Sequence, residues 1–233
     1  MTVASFTPLA LSAGRLNRAL TGLFLAVTAA GGLAELLPYV GLPAKLRPAA
    51  DFANLSHEAN LPTWYVSMLL FACALLLLAL VQQERGSRNR WHWFWLAVAF
   101  LYISVDEMIV IHEGLNAPLR EALGAGGALY FTWVLPFGAV ALLVFVTYLG
   151  FLARLPGDVR LLFMAGGAVY VGGALGTELP VSLWYEQNGG DNLVYGLLNL
   201  WQESLEILGV TIFLSGLLAY LSRSPLPRHS AEN

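Results

Sequence analysis

"LPTWYVSMLLFACALLLLALVQ", residues 61–82, contains no charged side chain. It is long enough to satisfy the ~20 apolar residues that a helix needs to cross a bilayer. The rest of the chain is built in the same way. Of its 233 residues, 58% are hydrophobic and only 12% are charged, and the mean hydropathy is +0.66. A soluble domain carries about 25% charged residues. The expected fold is therefore all-α: a polytopic transmembrane helical bundle forming a single membrane domain over residues 1–233.

Six predicted spans follow from the apolar runs: about 17–39, 62–82, 91–113, 128–153, 160–184 and 193–222. The fourth contains Pro136 and the fifth is rich in glycine. The longest connections, 40–61 and 114–127, carry Pro, Gly or Asn. No cleavable signal peptide is expected, because no short apolar core with a small-residue cleavage site opens the chain. Cys73 is the only cysteine, which excludes a disulfide within the chain; mid-span, it reads as a small core residue. No basic patch exists, so no nucleic-acid partner is expected.

Basic residues give the orientation. Arg15, Arg18, Arg85, Arg88, Arg90, Arg154, Arg160, Arg223 and Arg228 fall on one side of a six-span arrangement, and Lys45, Arg47 and Arg120 on the other. The positive-inside rule makes the first side, with both termini, cytoplasmic. In a bacterial inner membrane the opposite side is periplasmic. Trp91, Trp93 and Trp95, and Trp64 with Tyr65, fit interfacial belts at opposite faces.

The acids do not follow that rule. Glu84, Asp158 and Glu232 are cytoplasmic, whereas the other twelve of fifteen lie on the outer side or in the outer halves of spans. Asp106, Glu107, Glu178, Glu203 and Glu206 fall within spans, where each charge costs up to roughly 2.5–3.5 kcal/mol. No Lys or Arg lies in a span interior to balance them. Protonation, a water-filled cavity or a bound cation remain as remedies.

Helical spacing groups these acids. In "NLWQESLEILG", Asn199, Gln202, Glu203 and Glu206 form one polar stripe. In "YISVDEMIVIHE", residues 102–113, Asp106 and Glu113 are seven apart and share a face if the helix runs through. Glu107 and His112 diverge by ~100° to either side, so one of them is expected to join the inward pair. Candidate metal ligands are Asp106, Glu107, His112, Glu113, Glu178, Glu203 and Glu206, with Asn199, Gln202 and Asn60 as supporting polar groups. Carboxylates with one His suit a divalent metal, iron or manganese first, then zinc, calcium or magnesium. Ferritin-like di-metal bundles use Glu-x-x-His; here position 109 is Ile, and Glu206 stands where that pattern wants His.

Other residues read more simply. Glu35, near Pro38, suits an interface, and His92 a structural place in the cytoplasmic belt. His57 and Glu58 fit a solvated loop, with the cavity mouth as the alternative. Asn60 and Pro62 look like a helix entry. Gly172 and Gly176, with Gly166, Gly167 and Gly173, suit close helix packing.

"NLPTWY", "SVDEMIVIHE", "GGALGTE" and "ESLEILG" together resemble an uncharacterised bacterial family of small multi-pass membrane proteins, over about residues 60–220. The resemblance implies a compact helical bundle and no particular chemistry. Membrane hydrolases of the ceramidase and adiponectin-receptor type use several His ligands, and one span His does not match them. Two classes of function remain. One is a metal-dependent enzyme acting on a lipid or other apolar substrate. The other is a non-enzymatic protein that handles protons or cations, or an accessory subunit of a membrane complex. Membrane lipids are the expected partners, with another membrane protein or a second copy of the chain also open.

Overall fold

The run that opens this account forms α3, Leu61–Gln83. Asn60 caps it by accepting a hydrogen bond from the Thr63 N–H at 3.2 Å. Pro62 occupies the first turn, where its missing N–H costs nothing. The structure, a computed structural model, describes residues 13–41 and 43–223. Arg228 and Glu232, assigned to a side above, lie outside the described residues.

Among the described residues every regular element is helical. In chain order these are α1 (Ala13–Leu36), α2 (Arg47–Ala53), α3, α4 (Asn89–Ile109), α5 (Asn116–Leu123), α6 (Val134–Leu152), α7 (Gly157–Val171), α8 (Glu178–Asn188) and α9 (Leu193–Arg223). A π-helical segment, Gly172–Thr177, joins α7 to α8. Its widened turn relieves the clash that Pro180 would make with a carbonyl four residues back. Six helices are long and apolar enough to cross a membrane: Gly14–Val40, Leu61–Gln83, Asn89–Ile109, Val134–Leu152, Gly157–Asn188 and Leu193–Arg223.

The helix α9 is the hub of the bundle, packing against α1, α3, α7 and α8. Its approach to α7 is set by glycine. A Cβ on Gly209 would lie 2.5 Å from the Tyr170 backbone N, and one on Gly166 would lie 2.8 Å from the Gly209 carbonyl. Gly173 and Gly216 extend the contact: a Cβ on Gly173 would lie 2.9 Å from Leu205, and one on Gly216 would lie 2.8 Å from Phe163. The close-packing expectation therefore holds at Gly166 and Gly173. It fails at Gly167, Gly172 and Gly176, where an added Cβ meets nothing within 4 Å.

Other expectations are corrected. The third span ends at Ile109 rather than at 113, because Val110 adopts a left-handed conformation (φ 57°, ψ 43°). That conformation is unfavourable for a β-branched residue. The fourth span begins at 134 rather than 128, and the two long connections hold α2 and α5. Trp93 is fully buried against Phe151, Phe163 and Tyr220 and is not part of an interfacial belt, whereas Trp91, Trp95 and Trp64 are exposed. Glu35 is buried against Gly196 of α9 rather than interfacial. Cys73 is buried and free, as expected. His92 stacks on Phe151 at 4.8 Å, which bears out its structural reading.

Gly209→Ala tests the packing. Its Cβ meets backbone, which cannot rotate away, so the substitution is expected to cost about 1–3 kcal/mol, the usual range for overpacking. Gly167→Ala, with open space around it, should be neutral or slightly stabilising. Thermal unfolding in detergent, followed by circular dichroism, reads both.

Candidate functional site

The break at Val110 turns the chain back over the end of α4. The His112 backbone N–H donates to Asp106 Oδ1 at 3.0 Å, and His112 Nδ1 lies 2.7 Å from Asp106 Oδ2. Both oxygens of the buried Asp106 are thus engaged by a residue six positions later. The shared face expected for Asp106 and Glu113 does not exist, because no helix runs between them.

Trp133, just before α6, covers this pair with its ring centroid 4.5 Å from that of His112. The same indole donates from Nε1 to Glu178 Oε1 at 3.4 Å. Gln202 donates from Nε2 to Glu178 Oε2 at 2.6 Å. Glu178 is thereby held between α9 and the start of α6.

These groups line one cavity of about 1110 Å³, which reaches from the turn before α3 to the far ends of α6 and α7. Seven carboxylates line it: Glu58, Asp106, Glu107, Glu113, Glu178, Glu203 and Glu206. His112, Asn199 and Gln202 also line it, and no Lys or Arg does among the described residues. Glu107 and His112 therefore both reach the cavity, where the spacing had allowed only one. Asn60 does not line it; its amide instead donates to the Asn54 carbonyl at 2.5 Å and ties down the loop before α3. Asp106, Glu178, Gln202 and Glu206 are buried. Gln202 Oε1 is a buried acceptor with no hydrogen-bond partner.

The acids form a layer at one depth. Counting 1.5 Å per residue, Glu107 stands roughly 27 Å along α4 from Asn89, and Glu206 roughly 26 Å along α9 from Arg223. That is near the far boundary of a ~30 Å hydrocarbon core. Beyond the layer the lining is apolar, with Phe100, Phe137, Phe145 and Phe163 among its members.

Glu58 is the member that the sequence placed in a solvated loop. It stands beside Ala59, whose φ of 56° is left-handed. Burial first, and then the negative charges of Glu113 and Asp106, raise its pKa above the ordinary carboxylate value against the opposing pull of His112. Trp133 was missed altogether, because an aromatic residue at a span end reads as an interfacial anchor. His57 stays near Asp51, at 3.9 Å, and does not line the cavity. Among the described residues no group of three or more His, Cys, Asp and Glu is arranged as a ready-made metal cage.

The chain belongs to the family described as "Domain of unknown function (DUF8692)", whose model matches residues 19–221. No curated protein and no solved structure matches it.

For His112, burial opposes the charged ring. The hydrogen bond to Asp106 and the charges of Asp106, Glu113 and Glu107 outweigh it and raise the pKa above 6.5. The folded state thus favours the imidazolium. Its contribution to stability is complete below the unfolded value near 6.5 and is lost as pH rises through the higher folded value. In an NMR titration of the ring, the midpoint should lie above 6.5 and fall on Asp106→Asn. A midpoint that the substitution leaves unchanged would show that Asp106 does not set it.

Proposed function

We propose that the carboxylate layer is a cation-binding site, and that the protein is a metal-dependent membrane enzyme acting on a lipid or other apolar substrate. One observation carries this reading: seven carboxylates and no Lys or Arg line a single cavity. Two unit charges 4 Å apart repel by roughly 4 kcal/mol at an effective dielectric near 20. Protonation or a cation from outside the chain relieves that repulsion, and a bound metal would relieve several carboxylates at once.

Asp106 and Glu178 are already held by protein donors. Glu107, Glu203 and Glu206 are the best placed to turn toward an ion. Such a set is rich in oxygen, and His112 is the one imidazole in the lining among the described residues. Iron or manganese fits this mix first, while calcium or magnesium would accept the oxygens alone. A bound metal would activate water or dioxygen. Glu113 and Glu58, at the open end, would serve proton exchange with solvent.

The 9-to-3 bias of basic residues supports a reading with both termini in the cytoplasm and the acid layer toward the periplasm of a bacterial inner membrane. A proton or cation pathway is the competing reading. It would need polar groups continuing to the other end, where the cavity instead meets Leu96, Phe151 and Phe163.

Elemental analysis of protein purified without chelators tests the proposal. Near-stoichiometric divalent metal is expected, and the double substitution Glu203→Gln with Glu206→Gln should remove it. Protein that carries no metal and binds none on addition sinks the metal reading. Carboxyl infrared bands that titrate without metal would then favour proton handling.

A further inference from the structure

The apolar part of the cavity has a shape that the acid layer does not explain. Of α6, only Val134 and Phe151, near its two ends, are buried. One end is fixed by Trp133, packed on His112. At the other, the Tyr148 hydroxyl donates to the His92 carbonyl at 2.8 Å, and Phe151 stacks on His92 and meets Trp93 edge to face. Between these fixed points the helix stands away from α4 and α7, and Val140 and Phe145 are both more than half exposed while lining the cavity. On α7 the lining includes Gly167, where a Cβ would meet nothing within 4 Å.

The apolar passage under α6 runs roughly 16 Å from Glu107 to Leu96 along α4, and roughly 12 Å from Val171 to Phe163 along α7, at 1.5 Å per residue, with the π segment continuing it to Glu178. It begins at the acids and has no charged lining below them. Its length suits an extended hydrocarbon chain with a polar head at the acid layer. The charges restrict that head. The lining offers seven carboxyl groups and, among the described residues, no Lys or Arg, so a head that donates hydrogen bonds suits it better than an anionic one. Gln202 Oε1 adds a buried acceptor awaiting a donor.

We infer that the cavity binds a long-chain amphiphile whose head is a hydrogen-bond donor without negative charge, an amine or a hydroxyl, with its chain lying under α6. The inference rests on the proposed site for the head, but the chain passage stands on its own geometry. A lining of carboxyl groups without Lys or Arg among the described residues disfavours an anionic head.

Native mass spectrometry of the protein released from detergent tests this with hexadecylamine, octylamine and hexadecanoate. Hexadecylamine should bind at least about tenfold more tightly than either of the others. Gly167→Phe and Ala141→Phe fill the passage from opposite walls; each should remove the chain-length preference while leaving metal content unchanged. Two variants guard against one failing to fold, which circular dichroism reveals. Equal binding of octylamine or hexadecanoate, or folded variants that still prefer the long amine, overturns the inference. Loss of metal with the preference intact would overturn the metal reading alone.

Discussion

The close approach of α7 and α9 is the constraint on which the rest depends. It exists because Gly166, Gly173, Gly209 and Gly216 offer no side chains at the crossing. In an apolar medium there is little hydrophobic drive to join helices, so van der Waals contact and small residues take its place. The same contact builds the site. A Cβ on Gly173 would lie 3.2 Å from Glu206 Cγ, so the missing side chain is what leaves room for a buried carboxylate. The approach also brings Gln202 within 2.6 Å of Glu178, five residues after Gly173. Packing and polarity are therefore specified by one interface.

The second constraint is the break at Val110. A continuous helix would carry His112 and Glu113 outward along its axis. The left-handed residue turns them back, and the two oxygens of Asp106 take up the freed backbone N–H and the imidazole. A strained conformation of this kind persists only when its surroundings hold it. Here the holders are Asp106 on one side and Trp133 on the other. Trp133 also contacts Glu178, so the end of α4, the start of α6 and the start of α8 are tied through one indole.

What the sequence reveals follows the range of the forces involved. The six apolar helices are legible because hydropathy is summed over many residues and tolerates local error. The acid stripe on α9 is legible because that helix runs unbroken from Leu193 to Arg223. The end of α4 is not. Ile109, Val110 and Ile111 continue the apolar pattern, and nothing local marks Val110 as left-handed. Glu58 and Trp133 were hidden for a different reason: both come from connections, and only tertiary contact brings them over the cavity. Gly172 and Gly176 have the spacing of a packing motif, yet they lie in the π segment, where the helical register shifts and their face turns away from α9.

The acid layer makes the fold less stable than an apolar equivalent would be, since like charges gathered in one cavity repel. A bundle that only needed to pack could place Leu or Gln at these positions. The cost is concentrated at one depth and on one side, and the opposite end follows ordinary rules. There Arg223 pairs with the Asp158 carboxylate, and the Tyr220 hydroxyl donates to Glu84 at 2.5 Å. Every acid of the described chain at that end has a partner, whereas Glu107 and Glu203 in the layer have no hydrogen-bond donor from the protein. The chain thus pairs its carboxylates at one end and, among the described residues, leaves Glu107 and Glu203 without a protein donor at the other, so its unmet polarity is gathered in the cavity.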